Sequence, residues 1–208
     1  MELAVRGRRA PRREPALASL LTLAVAALLL GLEPAPGDAP AHLYRTFLVE
    51  HGSFVSDNFW YAGHYPLASY SLLYYLPAAL VLPLVVAGTV VSTILFAAIA
   101  YRIWELAALW PVRLFGIFAA ALHFTGLYSY SLGFAAVLGA LRALQARRSL
   151  LGILLAVLTL GLSPLAFVFL CLVLFALLAI RSRGSISSLS SLSAPREPSS
   201  RTAPRAVT

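Results

Sequence analysis

The sequence predicts an all-α, polytopic membrane protein, and three observations carry that expectation. Hydrophobic residues make up 60% of the chain and charged residues 12%, where a soluble domain carries roughly 25% charged residues. The mean hydropathy is +0.84, and the apolar residues come in long blocks, not at the spaced positions of a helix lying on a water-soluble core. All sixteen basic residues are arginine, and all but Arg45 stand in an N-terminal arm, at the ends of apolar blocks or in the C-terminal tail. That placement follows the positive-inside rule. It accounts for the net charge of +8 without nucleic acid as a partner, because no basic run is interleaved with aromatics. A soluble enzyme, a DNA-binding module and a disulfide scaffold are excluded together. The single cysteine, Cys171, lies within an apolar run and reads as a small lipid- or core-facing residue.

Residues 1–15 form a basic arm with Arg6, Arg8, Arg9, Arg12 and Arg13, in which Pro11 and Pro15 keep a helix from starting early. Ala16 to Leu32 is free of charge and meets the roughly 17 residues that a short span needs. The rival reading is a secretory signal peptide. The run exceeds an ordinary h-region and further apolar blocks follow, so a retained anchor is expected.

Residues 33–73 differ in kind, holding both aspartates, three of the four histidines and a dense set of aromatics. This loop is too polar to cross a membrane, and a loop of this length is usually functional or disordered. Its aromatic content argues for order, with short interfacial helices such as AHLYRTFLVEHG, where Leu43 and Phe47, with Phe54 just beyond them, would face the lipid surface.

Apolar character resumes from Tyr74 to Ala100 and ends at Tyr101, Arg102 and Trp104, an aromatic and basic interface anchor. Past Arg113 the blocks shorten to 114–124, 131–146, 149–162 and 165–180, broken at Thr125–Tyr130, at Arg147–Arg148 and at Ser163–Pro164. Each is below the roughly 20 residues of a comfortable span. Two arrangements satisfy this: paired short helices meeting partway through the bilayer around a cavity, or two long tilted spans with kinks. With about six hydrophobic segments and the arm inside, loop 33–73 falls outside and every apolar-flanking arginine after Arg45 falls inside. The expected location is the plasma membrane, multi-pass, with both termini cytoplasmic. Residues 182–208 are rich in Ser, Pro and Arg and are expected to be a disordered tail. So abrupt a change also fits a truncated or frame-shifted membrane chain. The plan is therefore an arm at 1–15, a membrane domain at 16–181 and a tail at 182–208.

Chemistry concentrates in the outer loop. Asp38 follows the first span by six residues, and His42 comes four residues later. In a helix beginning near Asp38 the two share a face. Asp38 reads equally as an N-cap and as a reactive acid, and the roles are compatible. Arg45 is the loop's only arginine, suited to a phosphate, to lipid headgroups or to Glu50. In DNFWYAGHYP, Trp60, Tyr61 and Tyr65 stand within six residues beside Asp57 and His64. Their flat faces suit a sugar ring, and Gly63 and Pro66 mark a turn that brings them together. The histidines and aspartates match no standard zinc spacing, so no metal site is assigned. His123 is an intramembrane ionisable group; with Thr125 and Tyr128 nearby it reads more simply as a satisfied interfacial histidine.

The segments GDAPAHLYR and DNFWYAGHYP, each beside an apolar span, resemble those of bacterial membrane glycosyltransferases of the C-type fold. Among these they are most similar to the membrane-bound 6-pyruvoyl-tetrahydropterin synthase-related domain family. SLGFAAVLGALRALQARR and the break at 163–164 are similar to that family's short paired helices. The resemblance covers 16–181, the N-terminal part of a typical member. It implies an inverting transfer of sugar from a polyprenyl-phosphate donor to an envelope glycan on the extracytoplasmic face. Asp38 would be the first-loop acid, accepting the acceptor's proton or holding a divalent cation that does so. Many members have two adjacent acids, whereas Ala39 follows here and Asp57 is the more distant second carboxylate. His42, Arg45, Trp60, Tyr61, His64 and Tyr65 would bind the substrates. Two other classes compete. A transporter or permease component would carry an internal repeat and midplane polar sites; no repeat is evident, and the polar residues gather in one outer loop. A non-catalytic membrane partner would use the same loop for binding alone.

Overall fold

The computed structural model describes residues 13–32, 37–52, 71–75 and 80–192, with backbone alone at 81, 82, 123, 124 and 183–192. Among the described residues the fold is all-helical: α1 (Glu14–Gly31), α2 (Ala39–Glu50), α3 (Val81–Trp104), a 3-10 turn (Glu105–Ala108), α4 (Leu109–Thr125), α5 (Tyr128–Gln145), α6 (Ser149–Leu162) and α7 (Pro164–Leu192). Six of them, α1 and α3 to α7, carry the six apolar segments. Three stretches are long and apolar enough to cross a membrane, Glu14–Gly31, Pro83–Leu122 and Pro164–Ser182, while Ser149–Leu162 is shorter.

Pro15 does not delay the first helix. It sits in the first turn of α1, where its missing N–H leaves no bond unmade. Glu14 places a negative charge at the helix's positive end. The buried positions of α1, namely Glu14, Ala18, Thr22 and Ala26, recur every fourth residue and draw one stripe of mostly small side chains. Leu17, Leu20, Leu23 and Leu28 face outward. Ala97, Ala100, Ala108, Ala120 and Ala140 are likewise buried, while Ile153, Leu154 and Val157 are exposed. Small residues between helices with large apolar ones outside is the packing of helices in lipid, the reverse of a soluble core.

Paired contacts set the helix directions up to Leu170, which closes the first of two units of the chain. Thr22 and Thr93 share a hydroxyl hydrogen bond of 3.0 Å, and Ala18 packs with Ala97, Ala100 and Val112, so α1 and α3 are antiparallel. At Glu105 (φ 48) the chain turns back. Gly116 then lies against Thr22 and Ala18, and α4 runs parallel to α1. The long stretch Pro83–Leu122 is thus a hairpin of two helices. After Gly126 the chain reverses again, with Gly88 against Leu132 and Leu95 against Gly139. In α6 it reverses once more: Gly152 meets Leu144, Leu155 meets Gly139 and Ser163 meets Gly133. Blocks 114–124 and 131–146 are therefore separate antiparallel helices, neither one kinked span nor two halves meeting end to end.

The break at Ser163 is different. Its backbone is extended (φ −158, ψ 106), and its hydroxyl accepts the Ala166 N–H at 3.3 Å, capping α7. Ala166 lies by Gly133 and Phe169 sits 6.3 Å from the Tyr130 ring. The first turn of α7 thus runs toward the Tyr128 end of α5 and not back toward Arg142, as six strictly alternating crossings require. From Cys171 onward, the second unit exposes Leu172, Phe175, Leu178 and Ile180, with Cys171 exposed among them. The helix continues to Leu192, beyond the Ser182 boundary where disorder was expected; residues 193–208 lie outside the described residues.

At the N-terminal end of α1, Arg113 Nη2 lies 3.1 Å and 3.0 Å from the two Glu14 carboxylate oxygens, and its Cζ stands 5.6 Å from the Trp110 ring. The pair ties α1 to α4. Glu14→Gln should lower stability by about 1–2 kcal/mol, a fall of several degrees in the melting temperature in detergent. Unchanged melting would show that the pair holds nothing.

Candidate functional site

At the opposite end of these helices, α2 is laid across the turn between α4 and α5. Pro40 stands in its first turn, where the helix needs no N–H. The Asp38 N–H donates to the Thr125 carbonyl at 3.4 Å and the Asp38 carbonyl accepts from His42 at 3.3 Å. Gly126 permits this contact. Its φ is +77, and a Cβ there would come within 2.7 Å of the Ala39 backbone nitrogen, so a larger residue would be strained and would push α2 away.

α2 has two faces. Leu43 and Phe47 are exposed, as expected for a helix at a lipid surface; Phe54 lies outside the described residues. His42 and Arg45, three residues apart, are buried on the other face. Asp38 occupies the N-cap position, but its side chain makes no capping bond. Of the two roles open to Asp38 the side-chain cap is not made, and the partly exposed carboxylate is left to other uses.

The second wall comes from residues 71–75. The Gly161 carbonyl, in the last turn of α6 where helical acceptors are unfilled, takes the Leu72 and Leu73 N–H groups at 3.0 Å each and the Ser71 hydroxyl at 3.2 Å. The Ser71 hydroxyl oxygen accepts the Tyr74 N–H at 3.0 Å. This pinning buries Tyr74 and Tyr75 against Val85 and directs them at α2. His42 Nδ1 and the Tyr75 hydroxyl share a hydrogen bond of 2.9 Å. The His42 ring meets Tyr74 edge-on at 5.3 Å and lies 5.6 Å from Tyr128 of α5. The Arg45 guanidinium stands 5.8 Å from the Tyr75 ring centroid, within range of a cation–π contact. The buried Tyr74 hydroxyl has no hydrogen-bond partner among the described residues.

Burial lowers the His42 pKa to about 4; the Asp38 carboxylate opposes the shift and the Arg45 cation adds to it. At neutral pH His42 is therefore an uncharged donor–acceptor. Burial pushes the Tyr74 phenol up, and Tyr75 and Tyr128 push it further, so it stays a neutral phenol with a proton to donate. A cation, a neutral imidazole, a protonated phenol and an uncapped carboxylate thus sit together at one end of the helices. That set can hold an anionic oxygen-rich group against an aromatic wall and take up a proton beside it.

Of the residues expected at a site, Asp38, His42 and Arg45 are brought together. Asp57, Trp60, Tyr61, His64 and Tyr65 lie outside the described residues, as does the His123 side chain. His51 ends α2, exposed, with Nδ1 2.8 Å from the Phe47 carbonyl. Among the described residues no three His, Cys, Asp or Glu side chains gather as metal ligands. Sequence reasoning missed Tyr74 and Tyr75, which it read as the start of an apolar block. It noted Tyr128 only as a neighbour of His123. A doubled tyrosine just before a span was the available signal. No protein-family model, curated protein or solved structure matches this chain.

Proposed function

We propose that this chain is a multi-pass membrane protein that binds a polyprenyl-phosphate sugar at the α2 end and transfers the sugar to a hydroxyl of an envelope glycan. What supports the reading above all is the uncapped Asp38 carboxylate at the head of a helix whose next two turns bury His42 and Arg45. In the transfer, the acceptor oxygen bonds to the anomeric carbon from the face opposite the phosphate, inverting it, as the carbon–phosphate-oxygen bond breaks. Asp38 takes the acceptor's proton. Arg45 faces the charge that grows on the departing phosphate, where a preformed cation in a dry site has its largest effect. Neutral His42 holds Tyr75 in place, and the aromatic wall lies against the sugar or the first isoprene unit.

A divalent cation does not fit the described part of this site. Such ions take about six or more oxygen ligands, and here one carboxylate shares its helix with the buried Arg45 guanidinium. Because Ala39, and not a second acid, follows Asp38, a binder that holds the lipid phosphate without transfer is the second reading. The two separate in one assay. Membranes carrying the full chain, given a labelled polyprenyl-phosphate sugar and envelope glycan, should release polyprenyl phosphate. Retention of the labelled lipid without release would leave the binding reading, and neither retention nor release would remove both.

The reading puts α2 on the extracytoplasmic side and the Arg113 and Arg142 ends inside, with the N-terminus cytoplasmic. Ser53→Cys, in a Cys171→Ser background that removes the native thiol, should be labelled by an impermeant maleimide in intact cells. Labelling only after permeabilisation would overturn this orientation.

A further inference from the structure

A groove of about 590 Å³ runs between α3, α5 and α6, within the roughly 300–1,000 Å³ of small-ligand clefts. Leu95 of α3, Ala135 and Gly139 of α5 and Leu155 of α6 line it; Leu132 lies toward one end of α5, and Arg142 and Arg148 stand at the other. From Leu132 to Arg142 is ten residues of helix, about 15 Å at 1.5 Å per residue. That is half of the roughly 30 Å hydrocarbon core, the depth of one leaflet.

The cationic mouth is built into the turn. The Arg147 and Arg148 N–H groups bond back to Leu144 and Ala143 at 3.0 Å and 2.9 Å, with Arg147 at φ 59, so the helix ends abruptly and Arg148 is held beside α5. Arg142 Nη1 donates to Gln145 Oε1 at 3.1 Å. No carboxylate occurs between Glu105 and Glu197, so neither α5 nor α6 carries an acid of its own beside these arginines. An apolar channel one leaflet deep, ending in arginines, matches an anionic lipid in both charge and length.

We propose that this groove holds a membrane lipid with an anionic headgroup, one acyl chain lying along Gly139 and Leu155 and the phosphate on Arg142 and Arg148. The site is at the opposite end of the helices from Asp38 and stands independently of the transfer reading. Its test is native mass spectrometry of the full chain in detergent, titrated with phosphatidylglycerol and with phosphatidylcholine. The parent should bind phosphatidylglycerol more tightly. Replacing both Arg142→Gln and Arg148→Gln should weaken that binding roughly thirtyfold, while leaving phosphatidylcholine as before. Arg142→Lys with Arg148→Lys should keep the preference, and Arg148→Gln alone, at an exposed position, should lose part of it with unchanged melting. Ala135→Phe, which fills the channel, should weaken both lipids. Equal binding of the two lipids by the parent, or full phosphatidylglycerol binding by the double Gln variant, would overturn the proposal. So would a dimeric parent that Ala135→Phe turns monomeric with lipid binding intact, because the groove would then hold a second copy.

Discussion

Asp38→Asn should insert, fold and melt like the parent, yet transfer sugar from a polyprenyl-phosphate donor roughly 10²–10⁴-fold more slowly, the usual loss on removing a positioned general base. The fold makes this a clean substitution. Losing an N-cap costs about 1 kcal/mol, but the Asp38 side chain makes no capping bond. Its backbone, by contrast, joins α2 to the α4–α5 turn through Thr125 and receives the His42 N–H, and asparagine keeps both bonds. Stability and activity therefore separate. A variant that transfers as fast as its parent, or a parent with no transfer to lose, would end the enzyme reading. A variant that binds the donor as tightly as the parent but transfers slowly would place the loss in the proton step, since binding leans on Arg45 and the aromatic wall.

Stability should fall as the medium is acidified from about pH 6.5 to pH 4, and His42 should account for a defined share of that fall. The folded-state pKa of His42 is lowered from 6.5 to about 4, so the unfolded chain binds its proton first as pH drops. The contribution is present in full above 6.5, declines through the window and is gone below 4. At 1.36 kcal/mol per unit it amounts to about 3 kcal/mol. The sign follows from burial, which disfavours the charged imidazolium, as does the neighbouring Arg45 cation. Acidification acts on other groups as well, so the measurement is a difference. Melting temperatures of the parent and of His42→Gln, taken at half-unit steps in detergent, should converge as pH falls. Curves that stay parallel from pH 7 to pH 4 would show that His42 is already solvated or charged in the folded protein.

The i, i+4 spacing of Asp38 and His42 is a local property of one helix, and it was enough to expect the two on a shared face; the burial of Arg45 beside His42 was not read from the sequence. The capping role was not decidable in the same way. A side-chain cap needs the N-cap residue in an extended conformation, whereas Asp38 has φ −93 and ψ −6, a backbone held by its bond to Thr125 far along the chain. Pro15 shows the same ambiguity on a smaller scale. Proline at a helix start and proline before one look alike until the first turn is seen.

The apolar blocks, their all-helical character and their number were determined by the sequence alone, because burial in lipid forces every backbone polar group into a helix and sets its length. So was the gathering of the arginine-flanked ends at one end of the helices up to α6, since antiparallel helices of similar length return their charges to the same end. Which turns meet at the other end was decided only in three dimensions. Tyr74, Tyr75 and Tyr128 belong to segments more than fifty residues apart along the chain, and they reach His42 because the unfilled Gly161 carbonyl binds residues 71–73 and Gly126 admits α2 against the α4–α5 turn. Hydrophobic periodicity reports how each helix is oriented about its own axis; it holds no information on which helix ends share a carbonyl, and that is where the candidate site was made.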